Sequence, residues 1–173
     1  MKWGLCLGLT ILLTTAAYAV ASEAERVRPA AVAGSWYPGE PGELADYLDG
    51  LLDAKSRQPE DQAQQVRALI SPHAGYVYSG AAAADGFRLV KGQTYRRVIV
   101  LGPAHRGWFR GMSIADVTHY ETPLGRIPLD LEAVAGLRAS DLVSVQADAH
   151  TQEHSIEMQL PLLQRALTSG STL

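Results

Sequence analysis

The 173-residue chain contains one cysteine, Cys6, and only two phenylalanines. A lone cysteine excludes any disulfide within the chain. Because Cys6 lies in the apolar N-terminal stretch, removal of that stretch also leaves no thiolate to act as nucleophile or metal ligand. Any metal must then be held by His, Asp or Glu. Runs of one charge are lacking as well. A formal net charge of −3 without a Lys/Arg cluster gives a nucleic acid nothing to hold. The apolar run Trp3–Leu13 falls short of the about 20 residues that a membrane-spanning helix needs.

What that run does fit is an export leader. Lys2 precedes it, and small residues follow, offering Ala17-Tyr18-Ala19 or Ala19-Val20-Ala21 before a cut. Residues 1–21 therefore read as a signal peptide cleaved near Ala19 or Ala21. The expected product is secreted or periplasmic, with no membrane span after cleavage. Residues 22–173 are long enough for one domain.

Within that domain, "GSWYPGEPG" (34–42) is turn-rich. From Glu43 onward Leu44, Tyr47, Leu48, Leu51 and Leu52 recur at helical spacing. The stretch 56–65 is polar, contains Pro59 and reads as a surface loop. Val66–Ser71 is strand-like, 79–90 is Ala-rich and helical, and "RVIVL" (97–101) has the unbroken apolar character of a strand buried on both faces. Weaker strands are expected at 112–117 and 142–146, and helices at 129–137 and about 155–167. Strands alternating with helices predict an α/β fold with a mostly parallel central sheet flanked by helices.

Two loops repeat one arrangement. "SPHAGYVYSG" (71–80) and "LGPAHRG" (101–107) each follow an apolar strand and each present one histidine between Pro and Gly. Ligands of parallel sheets sit beyond the carboxyl ends of the strands, so adjacent strands would bring His73 and His105 to one edge. Stiff loops carrying imidazoles suit a metal site, while a loop histidine that is merely solvated is the plain alternative. A third cluster, "DAHTQEHSIEMQLP" (148–161), holds His150, Glu153 and His154. It does not follow the metalloprotease pattern, in which Glu directly follows the first His. Pro161 favours a loop through His154 with a helix after Ser155. Glu157, Met158 and Leu160 then read as helix surface and core.

In this order, "AGSWYP", "SPHAGYVYSG", "LGPAHRG", "ETPLG" and "EHSIEMQLPLL" resemble the Memo family, over about residues 28–167. That family is similar in fold to the class III extradiol ring-cleaving dioxygenases. The resemblance implies that His73 and His105 are metal ligands. It also implies a pocket histidine at His154 with Glu153 beside it as the catalytic pair, and an aromatic, Trp36, lining the cleft together with Tyr76. It implies a divalent metal, Fe(II) first, with Cu or Zn as alternatives. A histidine often found after the first in the second loop is Arg106 here. A later segment, supplying an Asp and a Cys or His, is expected to be missing from the C-terminal part. The third ligand stays open between Glu153, His154 and a second chain, and the oligomeric state is open too.

Two functions follow from the resemblance. One is a metal-dependent oxygenase or redox activity on a small molecule, with His154 as acid–base. The other is a non-catalytic module that holds a metal or a peptide ligand in the same cleft. A zinc-dependent hydrolase is a third option, but the chain lacks a recognisable nucleophile pattern.

Overall fold

The structure is a computed structural model that describes residues 24–54, 66–168 and 172–173. The leader and the polar 56–65 loop lie outside the described residues. Helix α1 (Pro41–Asp53) starts with Pro41 in its first turn, where a missing N–H costs nothing. Its apolar spacing buries Leu44, Leu48 and Leu52 on one face. Each such leucine contributes about 1.5–3 kcal/mol. Helix α2 (Tyr76–Phe87) presents Gly80, Ala83 and Ala84 to that face. The small residues permit close contact, since a Cβ on Gly80 would stand 3.0 Å from Leu51 Cδ1.

A 3₁₀ turn (Glu157–Gln159) leads into the short helix α4 (Leu160–Ala166), again with proline in the first turn. Met158, Leu162 and Ala166 close the core between α1 and α2. Pro161 therefore begins this helix, as its position predicts.

The sheet structure is divided. Strand β1 (Val27–Arg28) pairs in parallel with β3 (His119–Thr122), which forms an antiparallel hairpin with β4 (Gly125–Pro128). Gly125, at φ +114°, makes the turn that few other residues could. Strand β2 (Met112–Ser113) pairs in parallel with β5 (Val143–Ser144), as the weaker strand expectations suggest. Helix α3 (Leu131–Arg138) is capped by Asp130, whose Oδ1 accepts from Ala133 N at 2.9 Å. The class is α/β, with mixed and parallel sheets flanked by helices.

The mostly parallel central sheet needs correction in one respect. Among the described residues, the two segments expected to form its centre, 66–71 and 97–101, join no ladder apart from one parallel bridge between Arg97 and Thr172. The first packs on the helical core through Val66 and Leu69, and the second donates from Val98 N to Thr172 O at 2.8 Å.

Candidate metal centre

Three loops carry imidazoles to one place. His73 follows the 66–71 segment, His105 follows the 97–101 segment, and His154 lies in the turn ahead of Glu157. Ring centroids are 5.3 Å apart for His73 and His105, 4.5 Å for His105 and His154, and 5.8 Å for His73 and His154. One donor atom from each ring lies within 4.8 Å of the other two. Nitrogens about 2.1 Å from one metal ion would stand about 3.4 Å apart, so the three rings are near the spacing that a shared ion would require.

Glu153 organises this cluster without joining it. Its Oε1 accepts from His105 Nδ1 at 2.9 Å, His154 N at 2.8 Å and Ser155 N at 2.9 Å, and its Oε2 accepts from His105 N at 2.5 Å. Burial disfavours its charge. Hydrogen bonds from the His105 ring and from the backbone N–H groups of Ser155, His105 and His154 overcome that and hold the carboxyl at about 2. A carboxylate only accepts, so the proton of neutral His105 sits on Nδ1 and leaves Nε2 for an ion. For His154, burial lowers the pKa, and His105 and His73 lower it further against the pull of Glu153. A neutral imidazole is the metal-binding form.

The loops are held from behind. Ser155 Oγ donates to Pro103 O at 2.8 Å, joining the second and third loops. Gly102 permits this approach, because a Cβ there would stand 2.5 Å from Ser155 Oγ. Arg28 of β1 donates from Nε to His150 O at 3.2 Å, and its guanidinium also reaches the Glu153 carbonyl. Trp36 lies beside the group, with its ring 4.3 Å from that of His154 and its carbonyl accepting from Tyr76 N at 2.9 Å.

Tyr76 does not share that place. It is 3% exposed, stacks on Tyr47 and donates its hydroxyl to Met158 O at 2.8 Å, which makes it a core residue. His150 stands outside the three-imidazole group, with Nε2 2.8 Å from Ser113 Oγ.

Glu157 is the residue whose importance the sequence reading missed. Its side chain is fully buried and accepts from Ala31 N at 2.8 Å, Val32 N at 3.0 Å and Tyr37 Oη at 2.8 Å, and it pairs with Arg28. It thereby ties the "AGSWYP" turn to the His154 loop. An acid between Ile156 and Met158, just ahead of a Leu-Pro-Leu-Leu run, was the available signal: a charge at a core position needs built partners.

Comparison with known proteins identifies the family. Residues 28–171 match the family model described as Memo-like protein. A MEMO1 family protein of Nitrosopumilus maritimus is 34% identical over 142 residues, which are 80% of this chain and 51% of the relative. Protein MEMO1 of Xenopus laevis is 37% identical over 145 residues, 82% of this chain and 47% of the relative. A MEMO1 family protein of Methanocaldococcus jannaschii is 37% identical over 147 residues, 80% and 51% respectively. The chain thus spans about half the length of the curated relatives it matches. With motifs, matched region and relatives in agreement, this chain belongs to the Memo-like family.

Proposed function

We propose that the chain binds one divalent metal ion through His73, His105 and His154, and that the cleft beside Trp36 receives a small-molecule ligand of that ion. The convergence of three imidazoles within 4.8 Å carries this reading. It differs from the expected division of labour, in which His73 and His105 alone bind metal and His154 moves protons. An imidazole whose nitrogen holds the ion is no longer free to act as an acid or base there.

The donor chemistry narrows the metal. Neutral imidazoles suit Fe(II), Cu and Zn, whereas ring-cleaving iron sites use two His and one carboxylate. Among the described residues that carboxylate would have to be Glu153, and its oxygens are already committed to four hydrogen bonds. Glu153 thus orients His105, and the described residues offer a three-nitrogen set. A bound ion supplies Lewis acidity and, where it is iron or copper, one-electron chemistry toward O₂. The chain's contribution is to fix the imidazoles, hold His154 toward its neutral form and present Trp36 to a planar or apolar ligand.

The commitment of Glu153 also favours the second reading, a binding module without turnover. Anaerobic purification, elemental analysis and O₂ uptake with catechols separate the two. Stoichiometric metal with catechol-dependent uptake supports the oxygenase activity, and metal without uptake supports the module. Less than a tenth of an ion per chain, after loading with Fe(II), Cu or Zn, refutes both. Export by the 1–21 leader belongs to the same proposal. Exported protein should begin at Val20 or Ser22, and a product still starting at Met1 counts against it. Among the described residues no helix is long and apolar enough to cross a membrane.

A further inference from the structure

Glu153 fixes the ring of His105, and Trp36 lies against that of His154. His73 has no such support. Beyond its ring contacts with the other two imidazoles, neither of its ring nitrogens hydrogen-bonds a described residue. A histidine that holds a metal through one nitrogen ordinarily donates the N–H of the other to a fixed acceptor, which sets its tautomer and its angle.

An unpaired acceptor stands on the wall beside it. Gln159 is 9% exposed, and its Oε1 is buried without a hydrogen-bond partner among the described residues. The amide cannot turn end for end. Its Nε2 donates to Pro72 O at 3.1 Å, and exchanging the ends would set one carbonyl oxygen against another. Gln159 and His73 line one cavity of about 230 Å³, and Ser155 lines it too. Ser155 Oγ gives its proton to Pro103 O and keeps a lone pair of its own. One ring N–H and two acceptors are the complement of a water molecule, which accepts one hydrogen bond and donates two. A buried water needs room and about two to four polar partners, and this corner of the cavity offers both.

We propose that Gln159 is the positioning residue of His73 and holds it at two points. It grips the Pro72 carbonyl directly, and it grips the imidazole N–H through one water bound between Gln159 Oε1, Ser155 Oγ and the ring. The proposal rests on the three-imidazole site and gives His73 what Glu153 gives His105. A carboxylate could not replace the amide here, because Pro72 O needs a donor and an ionised carboxylate has none. Elsewhere the cavity is walled by Leu69, Phe87 and Val90, which leaves the polar corner as the place for the water.

Nitrogen-15 NMR of the metal-free 173-residue chain at about pH 8, above the ordinary imidazole range, tests this without any ion. The His73 ring should show a single tautomer, and its N–H should give a cross-relaxation signal to a long-lived water. In Gln159→Leu the His73 ring should become a mixture of tautomers and lose that signal, while His105, held by Glu153, keeps its own. Zn(II) is the probe of the consequence. Gln159→Leu should bind it about tenfold more weakly than the parent chain. A mixture of tautomers in the parent overturns the proposal, and that measurement stands even where the variant fails to fold. A single tautomer that survives in Gln159→Leu overturns it too, since the partner of His73 then lies elsewhere. Unchanged Zn(II) affinity in a folded Gln159→Leu chain refutes the positioning role. A parent chain that holds the single tautomer and the water yet binds no Zn(II) upholds the Gln159 contacts and refutes the metal site alone.

Discussion

Replacing Glu153 by Gln tests the orienting role of that carboxylate through stability alone. A carboxyl held at about 2 in the fold, against an ordinary value of 4.5, is favoured as the anion by about 3 kcal/mol. The side chain is 7% exposed, so solvent screening takes little of this away. Gln keeps one acceptor, but its amide nitrogen turns a donor toward backbone N–H groups that are donors already. We expect Glu153→Gln to destabilise the metal-free chain by about 2–3 kcal/mol at pH 7. The sign with pH follows from the depressed value. The stabilisation is complete above the unfolded carboxyl's range, near 4.5, and is lost as pH falls toward about 2. Urea titrations of both proteins from pH 7 to the lowest pH at which they fold give the difference directly. A gap that stays constant below pH 4.5 refutes the reasoning, since the carboxylate would then contribute by shape and not by charge.

Other expectations follow from the same contacts. Glu157→Ala leaves Arg28 buried without its partner, and should cost about 3–5 kcal/mol, read as a melting temperature lower by roughly 10 °C. Gly102→Ala forces the second loop off Ser155, and should lower stability by about 1–3 kcal/mol and weaken metal binding in an equilibrium titration. Trp36→Ala removes the ring beside His154 and should weaken the metal about three- to tenfold with little change in melting temperature. His150→Ala should leave metal content unchanged, because that ring bonds Ser113 away from the cluster.

Local spacing made much of the fold legible. The recurrence of Leu44, Tyr47, Leu48, Leu51 and Leu52 at helical spacing marked α1, and Pro161 marked the start of α4. The echo of two Pro- and Gly-flanked histidines marked the site, since strand ends converge wherever neighbouring segments run together. The missing ladder at 66–71 and 97–101 was not legible, because pairing depends on partners that a segment's own composition does not reveal. "RVIVL" announced a strand buried on both faces, whereas Ile99 and Leu101 are exposed. Tyr76 was misplaced because its loop position suggested a cleft, whereas it begins α2 and turns inward to Met158. Glu153 and His154 were recognised as a pair, but their division of labour lay in hydrogen bonds that no spacing encodes.

Metal content of the three single variants tests the central claim most directly. His73→Ala, His105→Ala and His154→Ala should each lose stoichiometric metal by elemental analysis after equal loading, with circular dichroism unchanged from the parent chain. A His154→Ala protein that keeps its full complement of metal while the other two lose theirs would contradict the three-imidazole site and return His154 to a role toward substrate.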